Sequence, residues 1–171
     1  MIFSDIILND CFGEIFVFWN ESGRVVECTP SGSHREYYAA PGNAREAIPD
    51  IYGYLKDYGA CDSPPFPFET LDFGGSSRFT VDVYRALFGL PRGALITYSE
   101  LAYKAGYPRA HRAVGTAMRK NRHMLLLPCH RVIGANNLGN FAAGMRHKIQ
   151  LMLMEGHEEF LQKFPQYHEN I

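Results

Sequence analysis

Thr97–Lys120 reads TYSELAYKAGYPRAHRAVGTAMRK, and its punctuation decides the fold. Thr97 followed three residues later by Glu100 fits a capping box, in which the hydroxyl and the carboxylate satisfy each other's free backbone donors. A short helix through Leu101, Ala102 and Ala105 follows. Gly106 suits its end, and Pro108 suits the first turn of a second helix running to about Lys120. Two short helices joined by a tight Gly-containing turn read as a helix-turn-helix.

The second helix has two unlike faces. At about 100° per residue, Ala110, Ala113, Val114, Ala117 and Met118 fall on the core side. Arg112, Gly115, Thr116 and Arg119 fall on the other, with Arg109 at its edge. The outward face is therefore basic, and its uncharged members are small. Small residues let a backbone approach a surface closely, and arginines pair with phosphates or enter a groove. A solvated basic face has the same pattern, so the next stretch of chain carries weight.

That stretch is LLLPCHRVIG, residues 125–134. An apolar run reading as a core strand ends in Cys129, then His130 and Arg131. A thiolate is a nucleophile, but a free thiol needs a base or a positive environment to become one. His130 is adjacent, and Glu155 on the last helix is a candidate to orient its ring. An inert buried cysteine is the alternative. A zinc site is disfavoured, because no C-x-x-C or H-x-x-x-H spacing lies nearby.

The remainder frames this segment. Ile2–Leu8, Glu14–Trp19 and Arg24–Cys28 read as strands, with a turn at 20–23 and a loop over 29–43. Ile48, Ile51, Tyr52 and Leu55 recur at helical spacing. Three prolines within residues 64–67 mark a connector. Beyond it, Ser76 or Ser77 can cap a helix with Phe79, Val83, Ala86 and Leu87 on one face, ending near Gly89. A last helix runs from about Met145 to Glu155. The expected division is a domain over 1–75 and another over 76–171. Charge divides in the same way. Residues 1–75 hold four Lys and Arg against twelve Asp and Glu, net −8, whereas 76–171 hold thirteen against six, net +7. A basic half suggests a polyanionic partner. With 46% hydrophobic and 20% charged residues the chain reads as globular. No apolar run approaches the ~18 residues of a membrane span, and no basic flank precedes the first apolar stretch. The expectation is a soluble, unprocessed cytoplasmic protein (nuclear in a eukaryote) without membrane partners, its cysteines reduced.

Pro128-Cys129-His130-Arg131-Val132 resembles the active-site signature of the O6-alkylguanine-DNA alkyltransferases, the methylated-DNA–protein-cysteine methyltransferases. Pro91–Tyr98 resembles the approach to that family's helix-turn-helix. Arg112–Met118 with Asn121 resembles its recognition helix and the hinge after it. Leu138–Phe141 and Gly144…Lys148…Glu155-Gly156 resemble its substrate loop and closing helix. The resemblance spans roughly residues 77–156. It implies an α/β (α+β) fold: a small N-terminal α/β domain with an RNase H-like sheet, then a mostly helical, winged-helix-like domain. It implies transfer of an alkyl group from O6-alkylguanine in double-stranded DNA to Cys129, once per molecule, with the base flipped out of the duplex. By the same implication His130 takes the thiol proton through a water, Glu155 orients His130, and Tyr98 hydrogen-bonds the guanine. Arg112 fills the vacated stack, and Asn121 ties the helix to the Cys129 segment. Arg109, Ala113, Gly115, Thr116 and Arg119 face the minor groove, while Val132, Phe141, Ala142 and Ala143 frame the base pocket. The implied protein is a monomer with no cofactor.

Departures from the family pattern are Tyr107 before Pro108, where a capping residue is expected, a slightly shorter 134–137 turn, Phe141 for a tyrosine, and Ala142-Ala143. Some members hold structural zinc, but Cys11, Cys28, His34 and Cys61 form no convincing site. Two other classes remain to be weighed. One is a binding protein, either a non-reacting alkyltransferase-like protein or a helix-turn-helix regulator. The other is a Cys-His hydrolase that turns over, which would need an oxyanion hole that nothing marks.

Overall fold

A computed structural model describes residues 1–10, 12–30, 39–58 and 64–170, with side chains as far as Tyr167. Two compact units emerge: residues 1–76 with 122–127, and residues 77–121 with 128–171. The stretch 76–171 is thus interrupted, because Arg122–Leu127 clusters with the first unit.

The first unit is built on alternation. Strands β1 (Ile2–Asn9), β2 (Gly13–Asn20) and β3 (Val25–Pro30) are antiparallel neighbours, and β4 (Ala40–Pro41) runs parallel to β1. The order β3-β2-β1-β4 gives a mixed sheet. Ile7, Ile15, Val17 and Cys28 share one buried face, since side chains alternate along a strand and Ile7 pairs with Ile15 and Val17 with Cys28. After the short helix α1 (Ala44–Ala47), helix α2 (Pro49–Lys56) packs on β1 with Ile51 and Leu55 buried. The Asn9 amide closes that helix by donating to the Leu55 and Lys56 carbonyls at 2.8 and 2.9 Å.

The run Leu125–Leu127 is not a strand. Leu127 N–H donates to the His123 carbonyl at 2.7 Å, Leu125 has φ 71°, and the three leucines sit in a buried turn. Burial selects apolar residues whatever the backbone geometry, so an apolar run alone does not separate strand from turn.

In the second unit, α3 (Arg78–Phe88) is capped by Ser77, whose hydroxyl accepts from Thr80 N–H, and it ends at Gly89. Strand β5 (Ile96–Thr97) leads into α4 (Tyr98–Lys104), which opens with the full Thr97–Glu100 capping box. Gly106, with φ 88°, ends α4 in a Schellman-type closure, Tyr107 N–H reaching the Ala102 carbonyl at 2.8 Å. The second helix, α5 (His111–Arg119), starts later than Pro108 predicts. Tyr107 is held by Asp82 Oδ2 at 2.8 Å and by the Phe79 ring, and Tyr107–Ala110 make an extra turn. Ala110 then offers the helix no side-chain cap. Tyr84 of α3 donates to the Ala117 carbonyl, tying α3 to α5. Strand β6 (Val132–Ile133) pairs parallel with β5, and α6 (Met145–Met154) ends at Glu155. Helix α7 (Glu158–Leu161) brings Leu161 onto Leu138, Ile149 and Met152.

Among the described residues no helix is long and apolar enough to cross a membrane, and no cluster of metal-ligand side chains occurs. Cys11, His34 and Cys61 lie outside the described residues. Cys28 is buried in the sheet, where desolvation, aided by Glu27, pushes its thiol well up.

His123 gives the first unit a pH dependence. It is buried, and desolvation lowers its pKa to about 4 despite a 2.9 Å bond to the Val25 carbonyl. An unfolded histidine titrates at about 6.5, so between these values the unfolded chain binds more protons. Stability is full above the unfolded value, falls as pH drops toward the folded one, and then flattens. Urea unfolding of wild type and His123→Gln across that window should show a smaller loss in the variant, since buried His130 contributes in the same direction in both, and an equal loss would contradict the assignment to His123.

Candidate active site

The second unit concentrates charge around one sulfur. Cys129–Arg131 form a single 3-10 turn after Pro128, and all three side chains are buried. The turn takes Cys129 and His130 out of the strand alternation that would send them to opposite sides. Asn121, just beyond α5, donates its amide to Cys129 Sγ at 3.1 Å. Lys148, fully buried in α6, donates to the Val132 carbonyl at 2.6 Å. Burial lowers the Lys148 pKa to about 8, so the ammonium is still mostly charged at neutral pH, and the charge acts on Cys129.

Glu155 collects the remaining donors. His130 Nε2 lies 2.9 Å from Oε1, and Arg131 contributes Nε at 2.9 Å to Oε2 and Nη2 at 2.8 Å to Oε1. Gly93 N–H adds a contact to Oε2 at 3.2 Å. Arg131 Nη1 also donates to the Leu90 carbonyl at 2.7 Å. Desolvation alone would raise the carboxyl pKa, but the His130 and Arg131 hydrogen bonds outweigh it and hold Glu155 well below the carboxylate range. An ionised carboxylate only accepts, so His130 must carry its proton on Nε2. Nδ1 is left with a lone pair, and it is buried without a hydrogen bond to any described residue. Burial lowers the His130 pKa although Glu155 opposes this, so the ring is neutral at rest. Burial likewise raises the Cys129 thiol, against the lowering effects of the Asn121 bond and the Lys148 charge. The resting pair is therefore thiol and neutral imidazole, with an open proton acceptor on the ring.

Cys129 lies in the wall of a pocket of about 320 Å³. Of the sequence-predicted residues, Tyr98, Arg112, Gly115, Arg119, Phe141 and Ala142 line it. Asn121, His130 and Glu155 do not line the pocket; Asn121 reaches it through its bond to the sulfur. Arg109 and Ala113 are exposed, so Ala113 is not part of the core face expected for it. Thr116 is half-buried and accepts from Arg119 Nη2 at 3.4 Å. Val132, wholly buried, and Ala143, whose carbonyl accepts from His147, do not line the pocket. Met118 of the expected recognition helix and Gly139 and Asn140 of the expected substrate loop also line it, as do His111 and Asn137, which the sequence motifs do not include. Arg131 and Lys148 were passed over as site residues as well. Their signal was present, since Lys148 interrupts the apolar face of Met145, Ile149 and Met152, and a guanidinium within a buried run needs a carboxylate.

Residues 78–157 match the model of the 6-O-methylguanine DNA methyltransferase DNA-binding domain. The methylated-DNA–protein-cysteine methyltransferase of Methanothermobacter thermautotrophicus is 38% identical over 144 residues, which cover 84% of this chain and 80% of the relative. The chain belongs to this methyltransferase family. The Mycobacterium leprae member is 36% identical over 113 residues, covering 66% of this chain and 67% of that one. In three dimensions the chain is similar to Mycobacterium tuberculosis OGT in complex with DNA, with a TM-score of 0.72, 25% identity, and coverage of 90% and 91% of the two chains. The mixed α/β fold expected from the sequence is the fold of this methyltransferase family's solved members.

The ion pair at Glu155 should dominate the stability of this unit. Both side chains are nearly inaccessible, 1% for Glu155 and 5% for Arg131. Glu155→Gln removes the charge and leaves a buried guanidinium uncompensated, which should cost about 3–5 kcal/mol. Chemical denaturation of wild type and variant measures it, and a change under about 1 kcal/mol, the range of an exposed pair, would contradict the burial argument.

Proposed function

We propose that this chain repairs DNA by direct reversal, moving the alkyl group of an O6-alkylguanine onto Cys129 Sγ and restoring guanine. The observation that carries the reading is the buried sulfur in a pocket wall, with Asn121 and Lys148 favouring its anion and, on the next residue, a neutral imidazole whose Nδ1 is open. The pocket adjoins the basic face of α5, whose Arg112 and Arg119 share its wall.

The step balances. His130 Nδ1 takes the proton of Cys129, directly or through a water. The thiolate attacks the alkyl carbon from the side opposite O6, a C–S bond forms, and the C–O bond breaks with its electron pair going to guanine. Guanine regains a proton, so net charge is unchanged, and the Tyr98 hydroxyl assists by donating to the base. Lys148 and the Asn121 amide stabilise the sulfur while it is anionic. The product is a thioether, a poor leaving group, so each molecule acts once. No step requires a cofactor.

A base inside a duplex cannot reach a buried sulfur, so the nucleotide must be flipped into the pocket. In this reading α5 enters the minor groove, where Ala113, Gly115 and Thr116 allow close approach. Arg112 fills the vacated stack, and Arg109 and Arg119 face phosphates. The chain acts as a monomer in the cytoplasm, or in the nucleus of a eukaryotic host, and its two domains are residues 1–75 and 76–171, with Arg122–Leu127 clustering with the first. A reactive cysteine retained in the pocket weighs against a non-reacting damage binder, and the absence of a marked oxyanion site weighs against a hydrolase.

Two variants test this reading. Cys129→Ser replaces a soft thiol by a hydroxyl of far higher pKa; alkyl transfer should vanish while binding to an O6-methylguanine duplex persists. Retained transfer would remove Cys129 from its role. Arg112→Ala should slow the duplex reaction at least about tenfold more than the reaction with free O6-benzylguanine, because flipping costs a few kcal/mol and free base needs none. An unchanged ratio of the two rates would return Arg112 to a solvated basic face.

A further inference from the structure

Between Cys129 and α6 the chain supplies Asn137, Gly139 and Asn140 to the pocket wall. Asn137 is the centre of this loop. Its carboxamide oxygen accepts from Gly139 N–H at 2.8 Å, and its carbonyl accepts from Gly134 N–H at 2.9 Å. The side chain lies against the Gly134 α-carbon so closely that a Cβ there would stand 2.3 Å from its oxygen. Gly139 has φ 70°, which favours glycine, and a Cβ on it would stand 2.6 Å from the Tyr98 hydroxyl oxygen. The next residue, Asn140, donates its backbone N–H to that same oxygen at 3.3 Å.

A phenol that accepts a hydrogen bond keeps its own proton for a second partner and is polarised toward giving it. The Asn140 N–H therefore fixes the direction in which Tyr98 can donate. The position of that N–H depends on the backbone of Gly139, and Gly139 is held by Asn137.

We propose that Asn137 is a positioning residue for alkyl transfer: its carboxamide holds the backbone that presents Asn140 N–H to Tyr98, and so aims the Tyr98 proton at the base. The inference rests on the proposed function. It assigns no contact between Asn137 and the alkyl group, and it explains why the loop needs glycine at both 134 and 139.

The test is single-turnover transfer from an O6-methylguanine duplex at saturating DNA, with duplex affinity measured separately. Wild type is compared with Asn137→Ala, Asn137→Asp, Tyr98→Phe and the Tyr98→Phe/Asn137→Ala pair. Losing one such hydrogen bond should lower the saturated rate of Asn137→Ala about three- to tenfold, with affinity held within about twofold. Asn137→Asp keeps the accepting oxygen and should recover the saturated rate. In the Tyr98→Phe background, Asn137→Ala should change the rate by less than about twofold, since the group it serves is gone. A full rate with alanine, no recovery with aspartate, or an equal loss in both backgrounds overturns the assignment of Asn137 alone. A wild-type chain that transfers nothing overturns the functional reading, and this assignment with it.

Discussion

The Glu155 carboxylate is the acceptor on which the second unit is organised. It closes α6, and donors reach it from the Cys129–Arg131 turn and from Gly93 ahead of β5. Arg92 donates to the carbonyl of Met154, fastening the same helix end a second time. Burying a carboxylate is costly unless its lone pairs are filled, and here a guanidinium, an imidazole and a backbone amide fill them. The arrangement fixes more than position. An ionised Glu155 decides which nitrogen of His130 bears the proton, and hence which one is open to receive another.

The electrostatics at Cys129 follow from the same enclosure. Burial disfavours the thiolate, and Asn121 and Lys148 recover part of that cost without overturning it. A sulfur held as a thiol is a weak nucleophile toward stray electrophiles. Reactivity then depends on the proton having somewhere to go at the moment a substrate occupies the pocket. Lys148 fits this account because its charge is buried against the Val132 carbonyl, with no ion pair to a carboxylate among the described residues, and is felt at the sulfur. The proposed chemistry thus divides labour: Glu155 and Arg131 set the base, while Asn121 and Lys148 attend to the anion.

Much of this was legible in the residues, for physical reasons. Local rules carried the helix ends, because the Thr97–Glu100 box, the Ser77 cap and Gly106 act over three or four residues. Strand alternation carried β1 to β3. Non-local partners defeated the same rules elsewhere. Tyr107 bonds Asp82, 25 residues away, and the start of α5 moves past Pro108. Leu125–Leu127 has the composition of a core strand but folds as a buried turn, because burial and not backbone geometry selected its leucines. Within the site, Cys129, His130 and Glu155 were readable from chemistry and resemblance together. Arg131 and Lys148 were harder, since charged residues are read as surface until a buried partner is visible. Asn137 was unreadable because its role depends on two glycines and a tyrosine that only the folded loop brings together.

The most direct measurement is the intact mass of the protein after mixing with excess duplex carrying one O6-methylguanine, followed by peptide mapping. One methylene added per molecule, located on the peptide containing Cys129 and unchanged on longer incubation or with more DNA, is the result the account predicts. No adduct, an adduct on another residue, or DNA repaired in excess over protein would contradict it.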